Sequence, residues 1–225
     1  MGASAYRDVL RLRAAGAEVA AIDHRLDLPG TAPARRVVVL GDSAAAGHGL
    51  PSADAGIARR LGVALHAADG RATHVRSVAH DGARTADVLA EQLPAAAGAD
   101  LVVVGIGVND AIKRVPLVAL REQVRELLVT LRAIAARRDA VVLLACPDLS
   151  AAPGVPLALR PPLGWRCRAV ARVQGEVAGA LAVPVVPADR GRLRREVFGP
   201  DGFHPGALGH ELLAAEVLRR LPAAG

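Results

Sequence analysis

Four consecutive apolar residues, Val37–Leu40, run into a glycine and then into polar and small residues. Three of the four are β-branched, which suits a strand buried on both faces of a parallel sheet and predicts a first strand over about 35–40. Comparable short runs at Thr73–Val78, Asp100–Val104, Val141–Ala145 and Val183–Val186 predict four more. Between them the period changes. Ile57, Leu61 and Leu65 recur at four-residue steps within Ser52–Leu65, where Ser52 can cap a helix. Leu117, Leu120, Val124, Leu127, Leu128, Leu131 and Ile134 mark one face of a long helix over Pro116–Arg137. Thr85–Leu93, stopped by Pro94, and Cys167–Leu181 and Ala207–Leu221 also read as helices, whereas Pro147–Pro162 reads as a loop without regular structure. Strands alternating with helices predict an α/β fold, a five-stranded parallel sheet covered on both faces by right-handed crossovers.

Ahead of the first strand, Val9, Leu10, Leu12, Val19, Ile22 and Leu26 have a roughly helical spacing over residues 3–26. That segment is expected to pack on the domain rather than to act as an amphipathic arm, because Asp23 and Asp27 interrupt its short stripe. Leu28–Pro33 reads as a linker. The chain thus divides into a helical extension and linker over 1–33 and a single domain over 34–225.

The 225 residues are 52% hydrophobic but only 2% aromatic, so the core must be built from Val, Leu, Ile and Ala. A net charge of +6 invites a nucleic-acid reading. The cations are nearly all arginines scattered along helices, with Lys113 the only lysine, and no basic run is interleaved with aromatics. Nucleic acid is therefore not an expected partner. Cys146 and Cys167 are too few for a disulfide framework and lack metal-ligand spacing; Cys146, after an apolar run, reads as a small buried hydrophobe. Arg7, Arg11 and Arg13 interrupt the apolar stretch a signal peptide needs, and no apolar run reaches the length of a membrane span. A cytoplasmic location without an integral membrane segment is expected.

Candidate chemistry gathers at strand ends. Asp42 and Ser43 stand where the first strand gives way to a helix or tight loop, the edge at which open α/β sheets bind ligands. A serine there is either a helix N-cap or a nucleophile beside backbone amides. Gly82 and Asn109 occupy two further strand-to-helix turns, and Asp201 and His204 lie three residues apart just before the last helix. One loop can then supply both a base for Ser43 and the carboxylate that orients it. The N–H groups of Ser43 and Gly82, with the amide of Asn109, can form a three-donor oxyanion hole. Other readings lack their residues. Gly105-Ile106-Gly107 has Asp110 in place of the third glycine of a dinucleotide fingerprint, residues 41–49 lack the ending of a phosphate loop, and Ala45 stands where a G-x-S-x-G elbow needs glycine. His48, His66, His74, His80 and His210 show no metal-ligand spacing, though His80 lies close enough to Gly82 to line a cleft.

Taken together, Gly41-Asp42-Ser43, Gly82, Gly107-Val108-Asn109-Asp110 and Asp201-Gly202-Phe203-His204-Pro205 resemble the four signature blocks of the SGNH (GDSL-type) hydrolases, in order, over about 35–220. The resemblance implies a flavodoxin-like three-layer α/β/α sandwich. It implies Ser43 as nucleophile, His204 as base, Asp201 as its partner, and Ser43, Gly82 and Asn109 as oxyanion donors, with no metal or cofactor. Ala44 replaces the leucine of G-D-S-L, and Asp81 stands where the family often has asparagine before the glycine. Asp110 reads as structural, bonding backbone around Ser43.

The expected reaction is hydrolysis of small-molecule carboxylic esters or thioesters of short to medium chain through an acyl-enzyme. The alternatives are acyl transfer to a sugar or lipid hydroxyl and a non-catalytic binding module. Leu149, Val155, Leu157 and Leu159 could receive an acyl chain, and Arg84, Arg114 or Arg160 could meet an anionic head group.

Overall fold

The apolar runs form the strands they predict. The computed structural model describes residues 24–187 and 194–221. The strands are β1 (His24–Leu28), β2 (Thr31–Gly41), β3 (Arg71–Ser77), β4 (Leu101–Gly105), β5 (Val141–Leu144) and β6 (Val185–Val186). They make one sheet in the order β1-β3-β2-β4-β5-β6, parallel except where β1 meets β3. The helices are α1 (Ser43–Ala46), α2 (Ile57–Asp69), α3 (Thr85–Asp87), α4 (Val108–Ile112), α5 (Leu117–Ile134), α6 (Arg160–Ala180) and α7 (Ala207–Arg220).

Alternation along the strands divides the core. Val38, Leu40, Val102, Val104, Val141 and Leu143 face a layer that includes Leu120, Leu127 and Leu131 of α5 and Val170 and Val177 of α6. Val37, Val39, Val103, Val142 and Leu144 face Ile57 and Leu61 of α2 and Ala214 and Val217 of α7. The result is the expected three-layer sandwich, with each of these strand residues buried on one side or the other.

The sheet has six strands rather than five, and its edge pair is antiparallel. The extra strand lies in Leu26 and its neighbours, assigned to the helical stripe over 3–26. His24–Leu28 alternates half-buried and exposed positions, a period of two, and Leu26 pairs with Val75 and packs on the α2 side. Leu26 is the one residue of the predicted stripe that the structure describes, and the backbone hydrogen bonds available along β3 outweigh its helical spacing. The rest of that predicted helix falls outside the described residues. The expected linker at Leu28–Pro33 is likewise short, since β2 already begins at Thr31.

Three helix boundaries also differ. The helix expected from Ser52 starts at Ile57, behind Gly56. The segment from Thr85 passes through α3, a wider turn over Val88–Gln92 and a tight turn over Leu93–Ala96. Pro94 stands in the opening turn of that last piece, where its missing N–H costs nothing. By the same rule Pro161 and Pro162 enter the first turn of α6, so the stretch read as a loop already contains the helix start, preceded by tight turns at Leu149–Ala151 and Leu157–Leu159.

Candidate active site

Gly41 ends β2 opposite Gly105 of β4. Its φ is +140°, and a Cβ there would lie 2.0 Å from the Gly105 carbonyl oxygen, so both backbone conformation and space demand glycine. Gln92, buried, holds the same residue from the side: its Oε1 accepts the Gly41 N–H at 2.8 Å and its Nε2 donates to the Gly41 carbonyl at 2.9 Å. Asp42 donates its N–H to the Gly105 carbonyl at 3.1 Å and caps α1, its Oδ1 accepting the Ala44 N–H at 3.0 Å. The cap is therefore Asp42, which leaves the hydroxyl of Ser43 available for other work.

That hydroxyl meets a histidine. His204 Nε2 lies 3.0 Å from Ser43 Oγ, and His204 Nδ1 lies 2.5 Å from Asp201 Oδ2. The other oxygen of Asp201 accepts the backbone N–H groups of Phe203 and His204 at 2.9 and 3.0 Å. Gly202, with φ +64°, turns this loop, and Gly199 donates its N–H to the His204 carbonyl at 2.8 Å. With a carboxylate accepting at Nδ1, the ring proton sits there and Nε2 is left to accept from the serine. Burial pushes the Asp201 carboxyl up, but its bonds to the imidazole and to two backbone amides outweigh that and hold it below the usual carboxylate value. Ser43 and His204 are themselves buried.

The two predicted oxyanion segments are tied to each other. Gly82 turns with φ +78°. Asn109, buried in α4, donates one of its two amide hydrogens to the Ala83 carbonyl at 2.9 Å. Asp110 accepts from the Thr85 N–H at 3.1 Å and the Thr85 hydroxyl at 3.0 Å, and Lys113 Nζ donates to the Gly82 carbonyl at 3.2 Å. Asn109 and Asp110 of α4, with Lys113 just after it, thus fasten the Gly82 loop. Asp110 is structural as expected, but the backbone it bonds is around Thr85 rather than Ser43. Its complete burial raises the carboxyl above its ordinary value despite the two bonds from Thr85.

The sequence reading missed the buried glutamines and one histidine. Gln174 in α6 does for the next loops what Gln92 does for Gly41, donating to the Ile106 carbonyl and accepting the Cys146 N–H, both at 2.8 Å. An amide on the apolar face of a helix was the available signal in each case. His48 is buried, and its ring centroid lies 4.4 Å from that of His204. His80 instead pairs with Glu91 at 3.1 Å.

An apolar cavity of about 360 Å³ lies at the carboxyl ends of β4 and β5, lined among others by Ile106, Val108, Leu144, Leu149, Phe203 and Leu213. It touches Asp42 and Ala44, which flank Ser43, and Phe203 and Pro205, which flank His204. Of the four residues proposed to meet an acyl chain, only Leu149 lines it; Val155 and Leu159 are core, and Leu157 is 76% exposed. Of the cations proposed for a head group, Arg84 pairs with Asp87, and Arg160 donates to the carbonyls of Val155 and Pro153. Arg114 takes a left-handed conformation just after α4, φ +55°.

Among the described residues, His48, Asp201 and His204 offer three ligand atoms within 4.8 Å of one another. Both Asp201 oxygens and both His204 nitrogens already have partners, so a cation there would break the contact to Ser43 rather than support it. Serine, imidazole and carboxylate in series can instead move the serine proton onto the imidazole as the oxygen attacks a carbonyl.

No curated protein sequence matches the chain significantly. Among solved structures, TesA is 26% identical with a TM-score of 0.66, covering 83% of this chain and 98% of its own. A lipase/acylhydrolase from Enterococcus faecalis is 24% identical with a TM-score of 0.61, covering 85% and 99%. An extracellular lipase from Streptomyces rimosus is 23% identical with a TM-score of 0.61, covering 84% and 100%. The last two carry the fold alone. The family model of the GDSL-like lipase/acylhydrolases matches residues 39–212, from within β2 to within α7. The chain belongs to that family, and it is a serine hydrolase of acyl esters.

Proposed function

We propose that Ser43 is the nucleophile, His204 the general base and acid, and Asp201 the carboxylate that orients it, with the N–H groups of Ser43 and Gly82 and the Asn109 amide holding the oxyanion. The observation that carries this reading is the unbroken series from Asp201 Oδ2 through His204 to Ser43 Oγ, at 2.5 and 3.0 Å. Ser43 attacks the ester carbonyl as His204 takes its proton at Nε2. The imidazolium so formed faces Asp201, whose carboxyl stays ionised. The proton then goes to the leaving alcohol, and water repeats the two steps to release the acid.

The acyl group is short to medium in length. A cavity of about 360 Å³, with mainly apolar lining beside the residues next to Ser43 and His204, supports that choice. Labelling with a fluorophosphonate, alongside hydrolysis of a p-nitrophenyl ester series from acetate to palmitate, tests it. The wild type labels and turns over the shorter esters fastest, and Ser43→Ala does neither. A Ser43→Ala protein that still hydrolyses esters refutes the assignment. Turnover that rises markedly with added acceptor alcohols would make the enzyme a transferase instead.

A further inference from the structure

We propose that His48 is a positioning residue for His204, holding the plane of the imidazole during the half of the reaction in which Ser43 cannot. The inference rests on the acyl-enzyme sequence proposed above. His48 follows α1 between Gly47 and Gly49, whose φ values of +89° and +85° fold the chain tightly back. Its N–H donates to the Ser43 carbonyl at 2.9 Å. Its ring lies against that of His204 with a tilt of 45°, while Phe203 meets the imidazole nearly edge-on at 5.1 Å and 73°. The imidazole thus has two rings packed against it, one from the nucleophile's own turn and one from its own loop. The backbone beside it is close as well, since a Cβ on Gly49 would stand 3.2 Å from His204 Cβ.

The need for such a hold follows from the torsion involved. Rotation about χ2 of histidine is soft, so the ring plane is set by what grips its ends and faces. In the free enzyme both ends are gripped, Nδ1 by Asp201 and Nε2 by Ser43. Once Ser43 Oγ carries an acyl group it has no proton to donate, and Nε2 must accept one from water instead. Asp201 then remains as a single pivot. Contact on the ring faces is what keeps Nε2 aimed at the position of the attacking water. His48 is suited to this by packing rather than by hydrogen bonding: its ring is buried, and neither nitrogen makes a hydrogen bond among the described residues. Its Nδ1 approaches Asp81 Oδ2 to 3.0 Å, out of line for such a bond.

The role separates the two half-reactions, and that separation is measurable on the intact chain. Fluorophosphonate labelling reports attack by Ser43 with both grips in place. Steady-state turnover of p-nitrophenyl butyrate also requires deacylation. His48→Ala is expected to lower kcat on the order of ten-fold, within the range for a misplaced catalytic group, while labelling slows less than about three-fold. A pre-steady-state burst of p-nitrophenol should grow as acyl-enzyme accumulates. His48→Phe, which restores a flat ring but no proton, should recover kcat to within about three-fold of wild type. Rates are taken per titrated active site, so loss of folded protein moves neither ratio. Should His48→Ala fold poorly, His48→Leu removes the flat face at nearly constant volume and is expected to behave alike. Equal losses in labelling and kcat, an unchanged kcat, or failure of His48→Phe to recover it would each overturn the proposal. An active Ser43→Ala protein would defeat the underlying reaction scheme, whereas an inert Ser43→Ala protein beside a fully active His48→Ala protein defeats the role of His48 alone.

Discussion

His210 occupies the first turns of α7, completely buried, and its ring ties that helix to α2 by accepting the Ile57 N–H at Nδ1, 3.2 Å away. Accepting there puts the ring proton on Nε2, which has no hydrogen-bond partner among the described residues. Burial above all, then the electrostatic influence of Arg60 and the neighbouring His204, pushes its pKa down from 6.5 to about 4. Below pH 6.5 the unfolded chain therefore binds a proton that the folded chain refuses. Stability on this account is full above that pH and is lost as the pH falls from 6.5 towards 4. At 1.36 kcal/mol per unit, the loss over the window is about 3 kcal/mol. For a chain of this size that corresponds to roughly 6–12 °C in Tm. His210→Asn isolates the effect, because its Oδ1 can take the Ile57 N–H yet cannot titrate. The smaller side chain leaves a gap and is expected to cost about 1–2 kcal/mol at neutral pH. Urea unfolding of both proteins at about pH 7.5 and about pH 4.5 should then show the wild type losing about 2–3 kcal/mol more than the variant. Parallel losses would refute the reasoning, and with it the claim that this imidazole is kept neutral by burial.

Gly41→Ala forces a Cβ to 2.0 Å from the Gly105 carbonyl at φ +140°, so thermal melts should show a loss of about 3 kcal/mol or more, with kcat for ester hydrolysis down on the order of 10²-fold as Ser43 shifts. A variant as stable as wild type would mean that β2 and β4 separate here at little cost. Gln92→Leu leaves the Gly41 N–H without its partner in the core, whereas the Gly41 carbonyl keeps the His80 N–H at 3.2 Å; urea unfolding should register about 1–3 kcal/mol. No change there would mean that water or a backbone shift satisfies the amide. Asn109→Ala should lower kcat by on the order of 10²–10³ with KM little altered, the usual result of deleting one oxyanion donor. An unchanged kcat in steady-state assays removes Asn109 from the mechanism.

Much of the fold was legible because its strands are short, β-branched and unbroken, and because α5 carries a long one-sided stripe. Ser43 at the end of a strand, and Asp201 and His204 just before the last helix, stood out in the sequence as candidates by type and position. The misreadings share a cause. β1 looked helical because a few apolar residues fit either period, and only the unpaired edge of β3 decided between them. Pro94 and Pro161 looked like breaks because sequence alone does not tell whether a proline ends a helix or begins a turn. Gln92 and Gln174 drew no assignment and His48 no role because what they do lies in what they touch, at separations of 51 residues from Gly41, 68 from Ile106 and well over a hundred from His204.

By itself, then, the order of residues determined the layer architecture, the family and the chemical kinds gathered at one edge of the sheet, since period, turn chemistry and residue type are properties of neighbours along the chain. What only the tertiary structure decided is which groups face which: that Asp42 rather than Ser43 caps the helix, that Asp110 grips Thr85, that an imidazole from residue 48 covers the imidazole of residue 204. Those choices turn on ångström distances between segments that the chain brings together only when the core closes, and hydrogen bonds and ring contacts are short-ranged enough to depend on every one of them.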